Sequence, residues 1–132
     1  LLTLLLMYNS AWLAVEGAPG IGSAVLMLLQ NYPRIVRESS QGMGIRMTHE
    51  TRNNLVATLQ EFTSTRGYTA YDEHTIRELG SLVWIDKGAY RKAEAPEGAH
   101  DDLVMALMLA IRYARYASPR QPVKLVTHYY GG

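Results

Sequence analysis

Three residues that could take part in metal or acid–base chemistry stand side by side at His100, Asp101 and Asp102. They directly precede an apolar stretch with helical spacing that begins at Leu103, so both carboxylates are expected at a helix N-terminus. One aspartate is enough to cap a helix, because a single carboxylate accepts free backbone N–H groups and complements the helix dipole. Composition alone therefore leaves two interpretations of the pair open, helix capping and metal binding.

A further acid, Glu16, directly follows the short apolar run of residues 11–15. Such a run is typical of a strand buried on both faces. Taken alone, Glu16 is better explained as a solvated strand end or an arginine partner. Together with the aspartate pair it gains weight, because Mg²⁺ and Mn²⁺ prefer oxygen ligands and two ions about 3.5–4 Å apart can clamp a phosphodiester. That chemistry needs three or four carboxylates from different elements, and the sequence supplies two such elements.

The elements that must position these acids alternate between helix and strand, which predicts an α/β layer with some parallel pairing. Proline, glycine and good N-capping residues mark the boundaries. The predicted elements are the end of a buried helix at 1–9, strands at 11–15 and 34–37, helices at 23–32, 48–65, 72–82 and 103–117, and a hairpin turning at 86–88. Residues 93–99 are predicted to be a loop.

Helical spacing also predicts which side chains face inward. Ile76, Leu79 and Val83 are expected to point into the core from the fourth helix and the residues after it. The predicted apolar stripe of the last helix consists of Leu103, Leu107, Ala110, Ile111 and Ala114, broadened by Val104 and Met108.

The overall composition fits one ordinary globular domain. The chain has 132 residues and a net charge of +1, so a polyanion would have to be bound by a local basic patch. The absence of cysteine excludes disulfides and thiolate metal sites. The leading leucines are too few to span a bilayer, and a chain that starts on leucines is expected to be a piece of a longer protein. Residues 1–117 are predicted to form the domain and residues 118–132 a C-terminal tail.

Several motifs in this order resemble the nuclease domain of phage large terminases. Residues 98–107, which read GAHDDLVMAL, are similar to the last acidic motif of that family. Residues 8–16, followed by the Gly-Ile-Gly of 20–22, are similar to its second acidic motif. The Tyr-Pro at 32–33 and the residues 44–48 before the long helix also fit.

The resemblance implies a ribonuclease-H-like mixed sheet flanked by helices, with its first strands missing from this chain. It implies that Glu16 is the middle metal ligand and that Asp101 and Asp102 supply the last, with either aspartate as the direct ligand. His100 would lie beside the metals as a proton-handling group, or it is a simple loop residue. The family's first acidic ligand has no counterpart here, so the chain is expected to have an incomplete site.

The implied function is two-metal hydrolysis of concatemeric double-stranded DNA by a packaging terminase, with Mg²⁺ or Mn²⁺ as cofactor. The implied partners are DNA, the portal protein and the small terminase subunit, with no membrane, in the cytoplasm of the infected host cell. Lys87, Arg91 and Lys92 of the predicted hairpin are the leading candidates for DNA contacts, although a solvated charged hairpin explains them equally well. Other candidates for phosphate contacts are Arg34, Arg37, Arg46 and Arg52.

Two alternatives stay open. The first is a junction resolvase or transposase-like nuclease of the same fold, which would prefer branched DNA. The second is a non-catalytic module whose acids cap helices and whose surface binds proteins. Missing leading strands would also leave a sheet edge exposed, so self-association is expected in either case.

Overall fold

A computed structural model describes residues 1–38 and 42–117 of the chain, so the tail predicted for 118–132 lies outside the described residues. The described part is a mixed α and β protein with five α-helices and a two-stranded antiparallel sheet, which confirms the coarse fold class. The elements are α1 (Leu2–Met7), α2 (Ile21–Leu28), α3 (His49–Ser64), α4 (Glu73–Ser81), β1 (Val83–Asp86), β2 (Arg91–Glu94) and α5 (Asp102–Tyr113), followed by a 3₁₀ turn (Ala114–Tyr116).

Two helix starts predicted from capping residues are confirmed. The Thr48 hydroxyl accepts a hydrogen bond from the Thr51 amide at 3.1 Å and begins α3. The Asp72 carboxylate accepts one from the Thr75 amide at 2.8 Å and begins α4. These bonds satisfy backbone donors that a helix leaves free in its first turn. The bonds from Thr75 also lower the pKa of Asp72, because they favour the charged carboxylate.

The predicted hairpin is confirmed as well. Strands β1 and β2 pair antiparallel, and the chain turns between Asp86 and Arg91. Gly88 adopts a φ of 79°, a conformation that costs a glycine little, and its amide donates to the Asp86 carboxylate at 2.8 Å. The loop predicted to begin at 93 is wrong, because Ala93 is buried in the core and β2 continues to Glu94.

Residues 11–17, here called the N-terminal segment, run parallel to two later stretches of chain. The predicted parallel pairing is therefore present, but as isolated bridges around residues 35 and 45 and not as the continuous strands predicted for 11–15 and 34–37. The backbone bonds are Leu13 N–H to the Arg34 carbonyl (2.8 Å), Val36 N–H to Leu13 (2.9 Å), Ile45 N–H to Val15 (2.8 Å) and Gly17 N–H to Ile45 (2.8 Å).

Two hydrophobic cores lie on opposite faces of this segment. The main core joins α3, β2 and α5 and includes Val36 and Ile45. The small core lies among α1, α2 and the residues before 36, and consists of Leu5, Leu26, Tyr32 and Ile35. Side chains alternate along an extended segment, and accordingly Ala14 packs on the main core whereas Ala11, Leu13 and Val15 pack on the small one.

Several predicted faces need correction. The first helix exists, but Leu5 is its one buried residue, because the side chains around it have nothing in the described part of the chain to pack against. Helix α2 spans Ile21–Leu28 and not 23–32. Ile76 and Val83 are exposed. The buried stripe of α5 is rotated from the predicted one, since Leu103, Ala110 and Ala114 are exposed. The residues of α5 that are buried are Val104, Met108, Leu109, Ile111 and Tyr113.

Among the helices within 1–38 and 42–117, none is both long enough and apolar enough to cross a membrane.

Candidate functional site

The N-terminus of α5 is capped by a residue from another helix. The carboxylate of Glu78, in α4, accepts hydrogen bonds from the backbone amides of Leu103 (2.8 Å) and Val104 (3.2 Å). Asp101 occupies the N-cap position, but its side chain makes no capping bond. One carboxylate can complement the positive end of the helix dipole. Glu78 therefore caps α5, which is the role that the capping interpretation assigned to Asp101 and Asp102.

Asp101 is instead held by a buried arginine. Arg52 is 9% exposed and lies in the first turns of α3, and its guanidinium pairs with the Asp101 carboxylate. The same guanidinium donates to the Ala93 carbonyl at 2.6 Å, which ties the pair to β2. The Asp101 oxygen that pairs with Arg52 also lies 3.4 Å from the Ala95 amide. Arg52 and the end of β2 are both held at the main core. They therefore fix the orientation of the Asp101 carboxylate.

Asp101, Asp102 and His100 line one open cavity of about 260 Å³. Its wall is strongly polar and carries charges of both signs. The remaining lining residues are Arg52, Lys92, Glu94, Ala95 and Ala99. Asp102 and His100 are exposed at its mouth, whereas Asp101 is partly buried. The structure thus brings three of the four predicted catalytic residues together.

The basic residues of the hairpin flank this cavity. Lys87 and Lys92 each place an ammonium group 2.6 Å from a different oxygen of Glu94. Hydrogen bonds from Lys87 first and Lys92 second lower the pKa of Glu94 to about 2, and the same contact raises the pKa of Lys87. The Arg91 guanidinium lies 5.8 Å from the centre of the Trp84 ring. Two of the three predicted DNA contacts, Lys87 and Lys92, therefore already pair with the same carboxylate, that of Glu94.

Glu16 does not line the cavity of the aspartate pair. Its neighbour Gly17 lines a separate cavity of about 750 Å³ together with Thr48 and Thr51, at the start of α3. The next residue of α3, Arg52, holds Asp101. Residues of the first turns of α3 thus line both the cavity beside Gly17 and the cavity of the aspartate pair. By the alternation along the N-terminal segment, Glu16 falls on the same face as Ala14, the face of the main core and α5.

A hydrogen bond between Tyr113 and Glu38 connects α5 to the stretch around residues 34–38. The buried Tyr113 hydroxyl donates to the Glu38 carboxylate, whose other oxygen accepts from the Arg46 amide at 3.3 Å. Burial first, and then the bond to Glu38, raise the pKa of Tyr113. Each oxygen of the Glu38 carboxylate thus accepts one of these hydrogen bonds.

No cluster of three or more histidine, aspartate or glutamate side chains suited to hold a metal ion occurs in the part of the chain that the structure describes. The two aspartates and the neighbouring histidine are the densest group of such donors in the cavity.

Sequence reasoning missed two residues of this site. Arg52 was predicted to contact phosphates, but it is buried and paired, so that assignment is wrong. Its position three and four residues before Leu55 and Val56 placed a charge on the apolar stripe of α3, which is a signal of a buried ion pair. Glu78 gave no such signal, because only the docking of α4 against the start of α5 brings it to the free amides.

The chain matches no protein-family model, and no curated protein matches it with significant similarity.

Proposed function

We propose that this chain is part of the nuclease domain of a viral large terminase, which cuts concatemeric double-stranded DNA with Mg²⁺ or Mn²⁺ on a ribonuclease-H-like fold. The observation that supports this proposal most concerns the surroundings of Asp101 and Asp102. Because Glu78 caps α5, neither Asp101 nor Asp102 is needed as a cap, and both face a polar cavity. Asp101 is paired with Arg52, and Asp102 is exposed beside it, so carboxylate oxygens of both residues remain at the cavity for a cation.

The donors present fit a hydrated Mg²⁺ better than a fully enclosed ion. Mg²⁺ keeps several waters and is commonly bound by one or two carboxylates together with substrate phosphates. Asp101 and Asp102 provide those carboxylates. One oxygen of Asp101 is engaged by Arg52 and the Ala95 amide, which leaves its other oxygen for a ligand. The fit does not require a third acid in the same cavity.

The position of Glu16 supports its assignment as the second acidic element. By the alternation along the N-terminal segment, it falls on the face of that segment that packs on the main core. Residues of the first turns of α3 line both the cavity beside Gly17 and the cavity of the aspartate pair. We therefore keep Glu16 as the second acidic ligand of the proposed site.

Bound divalent ions would activate a water molecule and stabilise the leaving oxygen of the cleaved phosphodiester. The residues of this chain would supply the setting for that chemistry. Asp101, oriented by Arg52, and Asp102 hold the cation side of the site, and His100 at the mouth of the cavity accepts or returns a proton. Portal and small-subunit contacts, and a location in the infected host cell, belong to the same proposal.

DNA would approach along the hairpin that borders the cavity. Lys92 lines the cavity itself, and Lys87 and Arg91 lie near the turn. A phosphate would compete with Glu94 for the two lysines. Since such contacts are made to phosphates and not to bases, binding would depend on salt and carry little sequence preference.

Manganese binding tests the proposal directly. Sub-stoichiometric Mn²⁺ should broaden the backbone NMR signals of residues 99–103, and Asp101→Asn or Asp102→Asn should abolish that broadening. Glu97→Gln provides a matched control, since Glu97 is an exposed acid in the same loop that does not line the cavity. Broadening that is unchanged in both aspartate variants would refute the metal site.

Cleavage of linear DNA in Mg²⁺ or Mn²⁺ by the full-length protein, which supplies the family's first acidic ligand, tests the activity. We expect Glu16→Gln and Asp101→Asn each to lower the cutting rate at least a hundredfold, while Glu97→Gln leaves it unchanged. Full activity in both variants would overturn the nuclease assignment. A preference for branched over linear substrates would move the proposal to a junction resolvase or transposase of the same fold.

A protein-interaction module is a second candidate, because large apolar side chains of α1 and α2 are exposed. Ile21 is 87% and Leu28 84% exposed, and Met7 is 76% exposed. Apolar groups exposed in this way are typical of surfaces that bind other proteins. This candidate requires no metal, so the manganese experiment separates it from the nuclease.

A further inference from the structure

Glu94 ends β2 on the face of the hairpin opposite to Ala93. Side chains alternate along paired strands, and Ala93 is buried in the main core. Glu94 therefore shares its face with Lys92, two residues before it. The Lys87 amide donates to the Tyr90 carbonyl at 2.9 Å, which continues the strand pairing beyond β1 and places Lys87 on that face as well. Three charged side chains thus meet on one face of the hairpin.

Two ammonium groups hold the Glu94 carboxylate, one on each oxygen. The Lys87 Nζ lies 2.6 Å from Oε1, and the Lys92 Nζ lies 2.6 Å from Oε2. The acid is the least exposed of the three side chains, at 19% against 41% for Lys87 and 29% for Lys92. Lysine forms short charge-assisted hydrogen bonds with carboxylates and with phosphates. The two lysines therefore form an anion-binding site, and its present occupant is a side chain of the same chain.

A phosphodiester fits the position of this carboxylate. Both groups share one negative charge between two oxygens, so the nonbridging oxygens of a phosphate can take over the two ammonium contacts that Glu94 now has. Lys92 and Glu94 also line the open cavity of the aspartate pair. A nucleic-acid strand that enters this cavity therefore meets the anion-binding site at its border.

The charge of Glu94 is unfavourable for a polyanion at this place. Residues 83–102 contain five acids but only three lysines or arginines, so the stretch that surrounds the cavity is already negative. The two lysines lower the pKa of Glu94 to about 2, so the carboxylate stays charged at every pH at which duplex DNA is stable. Glu94 thus occupies both lysines and also repels the phosphates that would replace it.

We propose that Glu94 competes with DNA for Lys87 and Lys92, and that a phosphodiester of the bound strand takes its place between the two ammonium groups. The carboxylate then limits how tightly the hairpin binds DNA. Removing its charge frees two phosphate-binding lysines at once, whereas removing an unpaired surface acid frees none. This inference rests on the DNA contacts of the proposed function and not on its metal site.

Metal binding by Glu94 would be a different use of the same acid. Each oxygen of its carboxylate already accepts from an ammonium group, so a cation would have to displace both lysines and would be repelled by them. Broadening of the NMR signals of residues 99–103 by Mn²⁺ should therefore be the same in Glu94→Gln as in the unmodified chain. Broadening that disappears in Glu94→Gln would make Glu94 a metal ligand and overturn the proposal.

Binding of a short fluorescent DNA duplex without divalent ions, measured by anisotropy, tests the competition. Glu94→Gln should lower the dissociation constant about tenfold, since breaking one surface ion pair costs about threefold in affinity and two pairs must break. The salt dependence should steepen by about 1.8, because each lysine that reaches a phosphate adds about 0.9 to the slope. Glu97→Gln is the matched control. It removes the same charge from an exposed acid outside the cavity, and the dissociation constant should change less than about twofold.

A lysine substitution in two backgrounds shows whether the freed groups reach phosphates. Lys87→Met should weaken DNA binding about threefold more in Glu94→Gln than in the unmodified chain, where Glu94 occupies this lysine. Slow exchange of the Lys87 amide, which donates to Tyr90, shows that the hairpin is intact in each variant that keeps Lys87. Equal effects of Lys87→Met in both backgrounds, equal tightening by Glu94→Gln and Glu97→Gln, or an unchanged salt slope would each overturn the proposal.

NMR of the unmodified chain tests the same exchange without any substitution. The ammonium nitrogen signals of Lys87 and Lys92 and the carboxyl carbon signal of Glu94 should shift together as DNA is added. DNA binding that leaves the Glu94 signal in place would contradict the competition. A chain that cuts DNA and gives that result keeps its nuclease function and loses only this inference, whereas a chain that neither binds nor cuts DNA loses both.

Discussion

The main core and the small core differ in how completely they are closed. In the main core, α3, β2 and α5 enclose one another, and Val36, Ile45, Val104 and Met108 are each 0% exposed. In the small core, Leu26 is buried while Leu28 on the same helix is 84% exposed. The two acidic elements therefore have unequal support. The aspartate pair is held by the closed core through Arg52, whereas Glu16 directly follows Val15, which packs on the small core.

Among the side chains of the candidate site, removing the arginine should produce the largest effect. Arg52→Ala leaves the partly buried Asp101 carboxylate and the Ala93 carbonyl without their donor, and we expect the free energy of unfolding to fall by about 3 kcal/mol. Urea denaturation followed by circular dichroism measures it. The matched control is Arg77→Ala, whose pair with Glu73 is largely exposed to solvent and should contribute under about 0.5 kcal/mol. Equal losses in both variants would show that the site has no buried support.

Two leucines of equal burial test the difference between the cores. Leu55, in the main core, is 2% exposed and Leu26, in the small core, is 3% exposed. A closed core cannot collapse around a deleted side chain, so Leu55→Ala should cost about 4 kcal/mol and Leu26→Ala about 2 kcal/mol. Both are measured by urea denaturation. A cost at Leu26 that equals or exceeds the cost at Leu55 would contradict the unequal closure.

Removing the cap of α5 should have a smaller effect. Glu78→Ala frees the amides of Leu103 and Val104, and we expect a loss of about 1 kcal/mol in unfolding free energy, with faster exchange of those two amides. Glu73→Ala, in the same helix but away from α5, is the control. An unchanged stability in Glu78→Ala would mean that Asp101 or Asp102 takes over as cap, which would return the pair to the capping interpretation.

The smallest expected effect is in the acid titration of the hairpin. The pKa of Glu94 is lowered from 4.5 to about 2 by Lys87 and Lys92. A carboxyl with a lowered folded pKa stabilises the fold above its unfolded value, near 4.5, and the contribution is lost as the pH falls towards 2. A carbon-13 titration of the Glu94 carboxyl should show this midpoint, and Lys87→Met should raise it. A midpoint near 4.5 in the unmodified chain would mean that the lysines are free for other anions.

Local features of the fold were predictable because they depend on neighbours in the chain. Thr48 and Asp72 begin helices through amides three residues later, and the turn after Asp86 needs only its own glycine. The faces of the helices were less predictable. The stripe of α5 is rotated because α3 and β2, and not periodicity alone, decide which of its apolar residues are covered.

The amino-acid sequence by itself determined where the acids lie along the chain, that Asp101 and Asp102 begin a helix, and that an apolar run precedes Glu16, since these depend on residue type and spacing. The tertiary structure decided what the acids contact. Glu78 reaches the α5 amides from a separate helix, and Arg52 reaches Asp101 across 49 positions of sequence. Such contacts depend on how helices dock, and the free energy of docking comes from burial summed over the whole core, which short-range patterns do not contain.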